Sequence, residues 1–188
     1  DTLQLTNALD QIVAGSKIID IGHAGSDMRF LTALLSVSEL TTPVILTGSE
    51  RMKQRPVGDL VEALRSLGAQ ISYMEQPGFP PLAIKGTVLA GGEITIDASI
   101  SSQFISAILI TAPLLKKNIE LKVKHPIFSK PYIDMTIELM RKFGIKVATR
   151  PSNKTSQKFE VFTIKKGQKY KPANLEIEPD ATSLSYII

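Results

Sequence analysis

Arg55-Pro56-Val57-Gly58-Asp59-Leu60-Val61-Glu62-Ala63-Leu64-Arg65-Ser66-Leu67-Gly68 is the stretch that decides the fold. Val57, Leu60, Val61, Leu64 and Leu67 recur at i, i+3, i+4 and i+7, which predicts a helix over 56–67 with one buried stripe. Pro56 reads as a first-turn residue, Asp59 lies near the positive end of the helix dipole, and Gly68 is the stop. The same order returns downstream. Lys130-Pro131-x-x-Asp134 repeats Arg55-Pro56-x-x-Asp59, and Gly144 closes the helix expected over 131–143. Thr32-Ala33-Leu34-Leu35 is repeated by Ser106-Ala107-Ile108-Leu109. Two matches in register predict a duplicated βαβαββ-like unit of about 75 residues, with Ser185-Tyr186-Ile187-Ile188 as the candidate start of a third copy.

Around this frame, strands are expected over 17–21, 44–46, 69–73, 82–84, 93–96, 119–123 and 145–148. Further helices are expected over 28–35 and 104–109, and residues 1–9 are already helical in pattern. The alternation makes an α/β protein. A duplication also places equivalent loops near one another, so that polar residues on them converge on one site. The opening helical pattern has no lead-in and the closing apolar run has no cap, so the chain reads as a piece of a longer protein.

Composition narrows the chemistry. The 188 residues are 43% hydrophobic and 21% charged, enough to bury a core and inconsistent with intrinsic disorder. The absence of cysteine removes disulfides, a thiol nucleophile and Cys-ligated metals. Two histidines, His23 and His125, do not make a His-rich metal site. The longest apolar run, 104–115, is too short to cross a bilayer. A net charge of +4 and a pI near 9.2 favour anionic partners. The lysine runs at 116–124 and 154–171 read as solvated surface, since a nucleic-acid site calls for interleaved Arg and aromatics and only 6% of residues are aromatic.

Four helix-start loops carry the candidate chemistry. Gly22-His23-Ala24-Gly25-Ser26-Asp27-Met28-Arg29 follows a strand and enters a helix, offering glycines for close approach and free N–H groups for an anion. Its spacing fits neither a dinucleotide fingerprint nor a P-loop. His23 by itself reads as a hydrogen-bonded turn residue. Glu50-Arg51-Met52-Lys53-Gln54-Arg55-Pro56 sets three cations before a helix N-terminus, where they oppose the dipole unless an anion or acid neutralises them. Glu50 and Asp59 are the internal alternatives to a bound anion. Ser101-Ser102-Gln103 offers two hydroxyls and an amide, suited to a helix cap or to a phosphate. Ser129-Lys130-Pro131-Tyr132 repeats that offer with a hydroxyl, a cation and a phenol. The four together, without a nucleophile–base pair, point to small anionic metabolites.

On these residues the chain resembles the enolpyruvyl transferases, most closely the branch acting on shikimate 3-phosphate. Gly25-Ser26-Asp27-Met28-Arg29, Arg51-Met52-Lys53-Gln54-Arg55-Pro56, Ser101-Ser102-Gln103-Phe104, Ser129-Lys130-Pro131-Tyr132-Ile133-Asp134 and Asp180-Ala181-Thr182-Ser183 carry the likeness in the family's order. The sister branch, which acts on a UDP-linked amino sugar, commonly uses a loop Cys and lacks Ser-Ser-Gln-Phe. The resemblance implies a lobe of βαβαββ units with partly buried parallel helices. Residues 1–178 would form most of an N-terminal-type lobe, and 179–188 the start of the crossover to a second lobe.

The activity implied is transfer of the enolpyruvyl group of phosphoenolpyruvate to the 5-hydroxyl of shikimate 3-phosphate, with release of phosphate. It belongs to the shikimate pathway of aromatic amino-acid biosynthesis. By the resemblance, Gly25, Arg51 and Gln103 fall on the phosphoenolpyruvate subsite, which glyphosate also occupies in this family. Ser101, Ser102, Gln103, Ser129 and Tyr132 fall on the shikimate 3-phosphate subsite, with Ser26 and Arg55 as further candidates. It implies no cofactor or metal, no nucleic-acid or membrane partner, and a cytoplasmic full-length monomer. The family's acid/base Asp and Glu are not among the matched residues, so this chain alone is expected to bind but not to turn over. His23 in place of Asn, Phe30 in place of Pro and Pro179 in place of Gly depart from the family pattern.

Overall fold

In the computed structural model, residues 2–97, 101–124, 126–127, 129–152 and 159–177 are described. The Asp180–Ser183 motif, Pro179, His125 and the candidate third copy at 185–188 lie outside them. An initial helix α1 (Thr2–Val13) precedes two units of the same βαβαββ order, apart from one extra short helical turn in each. The first runs β1 (Ile18–Asp20), α2 (Gly25–Val37), β2 (Val44–Thr47), a one-turn α3 (Glu50–Lys53), α4 (Gly58–Ser66), β3 (Gln70–Tyr73) and β4 (Leu82–Lys85). The second runs β5 (Gly92–Asp97), α5 (Ser102–Thr111), β6 (Ile119–Lys124), α6 (Lys130–Lys142), β7 (Val147–Ser152) and β8 (Phe159–Ile164).

The sheets match strand for strand, in the orders β1-β2-β4-β3 and β5-β6-β8-β7. In each, the first pair is parallel and the other two are antiparallel, with Ile19 opposite Leu46 in one and Ile94 opposite Leu121 in the other. The duplication expected from the two matched strings is therefore a duplication of topology. Gly68 and Gly144 both take positive φ, +100° and +87°, just past the helices they stop.

Burial follows the sequence pattern. Val57, Leu60, Val61, Leu64 and Leu67 are all buried, although Val57 and Leu67 are the caps of α4 rather than members of it. Pro56 consequently stands one residue before the N-cap, not in the first turn as the sequence suggested. β6 alternates strictly, with Ile119, Leu121 and Val123 inward. Its outward faces pair across the sheet, Lys122 with Glu93 at 2.5 Å and Glu120 with Arg150 at 2.8 Å. β8 was not anticipated, and β7 begins later than the strand expected over 145–148.

α5 is apolar nearly all round, Phe104, Ile105, Ala107, Ile108 and Leu109 being buried, and it packs between α2 and α6. Its Ser106 and Thr111 hydroxyls are satisfied, Thr111 donating to the Ala107 carbonyl at 2.9 Å. Ser106 and Thr136 share a hydrogen bond of 2.8 Å between α5 and α6, and Thr136 also donates to the Tyr132 carbonyl. Pro113, in the 3-10 turn that follows Thr111, ends the helix. The packing of α2, α5 and α6 brings their N-terminal ends to one side of the molecule. Among the described residues no helix is long and apolar enough to cross a membrane.

Candidate functional site

The first turns of α2, α5 and α6 open onto one hollow of about 890 Å³. Gly25 and Ser26 come from α2, Ser101, Ser102 and Gln103 from the start of α5, and Ser129 and Tyr132 from the start of α6. Three helix N-termini, each the positive end of a helix of ten or more residues, thus face a common space. Arg29, Arg55 and His23 complete the polar wall, and among the described residues no Asp or Glu lines it. Among the described residues neither arginine has a carboxylate within ion-pair distance.

Each side chain is held for a local reason. Ser101 Oγ caps α5 by accepting from the Gln103 N–H at 3.2 Å, so the capping alternative is realised at that residue. Ser102 is nearly buried and turns into the hollow. Ser129 caps α6 with its backbone alone, at φ +58° and with no side-chain cap bond, which leaves its hydroxyl to the hollow. Tyr132 is 61% exposed and stands at the mouth. Gln103 Nε2 donates to Ser26 Oγ at 2.9 Å, joining the two units inside the site.

The cations are crowded. Arg29 donates to the Gly25 carbonyl at 2.7 Å and stacks over Phe104, 5.5 Å from the ring centre. Burial, with the like charge of Arg55 added to it, pushes the Arg29 guanidinium below its ordinary value. Its Nε is buried without a partner. A Cβ on Gly25 would overlap the Arg55 guanidinium and lie 2.8 Å from Arg29 Nη1, so glycine here lets two arginines close on the backbone. Such an array is unfavourable until an anion arrives.

Arg51, Lys53 and Arg55 part company, contrary to the reading that set all three before one helix. Arg51 and Lys53 lie in the last turn of α3, where cations suit the dipole. Lys53 is bound by Glu50 at 3.0 Å and Glu75 at 3.3 Å, so an internal acid neutralises it. Arg51 has no ion-pair partner among the described residues and lines a smaller adjoining hollow of about 220 Å³ with His23, Met52 and Arg55. Lys130, which repeats Arg55 in the second unit, is taken up by Asp134 at 2.6 Å and Glu160 at 3.3 Å.

Arg29, Phe30, Ser106 and Thr136 line the hollow without having been assigned to it from sequence. Each stands four residues after an assigned one: Gly25, Ser26, Ser102 and Tyr132 respectively. One helical turn of projection from the assigned positions would have found all four.

The comparisons with known proteins agree with one another. The sequence profile of EPSP synthase (3-phosphoshikimate 1-carboxyvinyltransferase) matches residues 2–188. The 3-phosphoshikimate 1-carboxyvinyltransferase of Shewanella amazonensis is 48% identical over 169 residues, 89% of this chain and 37% of that protein. Its counterpart in Vibrio cholerae is 45% identical over 169 residues, again 89% of this chain and 38% of the relative. The structure of EPSP synthase from Acinetobacter baumannii superposes with a TM-score of 0.73 at 25% identity, covering 90% of this chain and 35% of its own. The chain spans a little over a third of the length of the curated relatives it matches.

Proposed function

The chain belongs to the EPSP synthase family, and from that premise we propose that its hollow binds the two anionic substrates of enolpyruvyl transfer. Gly25, Arg51 and Gln103, with Arg55, take phosphoenolpyruvate. Ser101, Ser102, Gln103, Ser129 and Tyr132, with Ser26, take shikimate 3-phosphate. Residues 1–178 are most of one lobe of the whole protein, whose second lobe completes the cleft. The observation that carries this reading is the meeting of three helix N-termini and two arginines around a space that, among the described residues, no carboxylate lines.

In the whole protein the 5-hydroxyl of shikimate 3-phosphate adds to C2 of phosphoenolpyruvate while the methylene takes a proton. The tetrahedral adduct then loses phosphate and a methyl proton to restore the double bond. Arg51, Arg55 and the helix N-termini hold the phosphate and carboxylate in place and oppose the charge that builds on the departing phosphate. Gln103, between the two groups of residues, sets the distance between the reacting ends. These groups position and neutralise, and the proton transfers fall to groups of the closed cleft.

Calorimetric titration of the chain with shikimate 3-phosphate and with phosphoenolpyruvate tests the binding. Saturable binding that Ser102→Ala and Ser129→Ala weaken for shikimate 3-phosphate supports the assignment. In the full-length protein, Arg51→Ala removes a charge-assisted hydrogen bond of about 1.5–3 kcal/mol and raises KM for phosphoenolpyruvate. Unchanged KM and kcat in that variant would remove Arg51 from the binding site.

A further inference from the structure

His23 stands on the boundary between the two hollows, lining both together with Arg55. Its loop is built to hold it there. Asp20 Oδ1 accepts from the Gly22 N–H at 2.8 Å, and the Ser49 N–H donates to the Gly22 carbonyl at 2.9 Å. A Cβ on Gly48 would come within 2.7 Å of that carbonyl, so glycine is what lets the two segments approach. Ser49 Oγ then lies 2.7 Å from His23 Nδ1 while it accepts the Met52 N–H at 3.3 Å as the cap of α3, the turn that carries Arg51. The Ser49 oxygen can donate its proton to His23 Nδ1 while it accepts from Met52, and in that arrangement the ring carries its own proton on Nε2.

We propose that His23 is a direct binding residue of the hollow, its Nε2–H donating to an oxyanion held by Arg51 and Arg55, with Ser49 as the positioning residue that fixes the tautomer. This rests on the reading of the hollow as an anion site. The ligand chemistry is a phosphate or carboxylate oxygen at the junction, within reach of both guanidinium groups.

The test is proton–nitrogen NMR of the imidazole side chains during titration with inorganic phosphate, with pyruvate and with phosphoenolpyruvate. The chain has two histidines, so His23→Asn assigns the signals. The free chain is expected to show the Nε2–H tautomer at His23, with its signals moving on saturation. A response to phosphate alone places the phosphate group at the junction, and a response to pyruvate alone places the carboxylate there. His23→Ala weakens affinity for the responding anion about tenfold. Ser49→Ala mixes the tautomers and weakens binding by a smaller factor, and Ser49→Thr restores both. If the Gln103 amide shifts at saturation while the His23 ring stays still, the proposal fails and the anion site stands. Should neither phosphate, pyruvate nor phosphoenolpyruvate bind, both fall. The titration of the unmutated chain decides the matter even where a variant does not fold.

Discussion

Gln103 Nε2 donates to Ser26 Oγ at 2.9 Å across 77 residues of sequence, tying the first turn of α5 to the first turn of α2. It is a side-chain bond between the two duplicated units, made at the point where both face the hollow. A partly buried amide–hydroxyl bond contributes about 0.5–1.5 kcal/mol, and losing one partner strands the other. Ser26→Ala and Gln103→Ala are each expected to lower stability by about 1 kcal/mol. In a double-mutant cycle by urea unfolding, a coupling of about 0.5 kcal/mol or more marks a direct interaction. Ser26→Thr, which keeps the hydroxyl, stays near the parent. Additive losses would mean that the two units meet without help from this bond.

Arg29 and Arg55 repel one another, and among the described residues no carboxylate lines the hollow beside them. Arg55→Gln is expected to raise the thermal midpoint of the free chain slightly, and less so at high salt. The parent gains stability from phosphate by mass action, about 2.7 kcal/mol at a hundredfold excess over Kd. The variant gains much less. Equal phosphate stabilisation of parent and variant would remove Arg55 from the site.

Gly25→Ala separates fold from site. At the first position of α2 alanine suits a helix better than glycine by about 0.5–1 kcal/mol, which offsets the steric penalty. The new methyl displaces the end of Arg55 and presses on that of Arg29, which gives up its hold on the Gly25 carbonyl. The expected result is a chain within about 1 kcal/mol of parent stability whose affinity for phosphoenolpyruvate, measured by calorimetry, falls at least tenfold. Full affinity in this variant would show that the close approach of the arginines to the Gly25 backbone is not needed for binding.

How much of this was legible in advance divides by the range of the interactions. The helix at α4, its stripe and the stops at Gly68 and Gly144 came from local periodicity and backbone preference, which are written in consecutive residues. The duplicated topology came from two short repeated strings. β8 was missed because it follows a polar stretch and its partners β6 and β7 are set by long-range pairing. At the site, the residues opening each helix were visible as loop chemistry, whereas Arg29 and Thr136 read as ordinary helix interior. The partners Glu50 of Lys53 and Asp134 of Lys130 lie within one helical turn and were legible, whereas Glu75 and Glu160, which also reach the two lysines, come from a distant loop and strand.

Asp27 is 2% exposed in the first turn of α2, and its Oδ2 is buried with no partner. Burial raises its carboxyl above the ordinary 3.8. The dipole of α2 favours its negative charge by about 0.3–1 kcal/mol, and an unpartnered buried acceptor costs about 1–3 kcal/mol, so the cost prevails. Because the native state holds this proton more tightly than the unfolded chain, native stability from this group falls as pH rises through its raised value. The penalty is full at neutral pH and is relieved as pH drops toward 3.8. Asp27→Ala is therefore expected to stabilise the chain by about 1 kcal/mol near neutral pH, with the advantage shrinking in acid. Urea unfolding of both proteins across that range measures it. An alanine variant less stable than the parent at neutral pH would mean that the carboxylate is held by the helix N-terminus more strongly than burial opposes it.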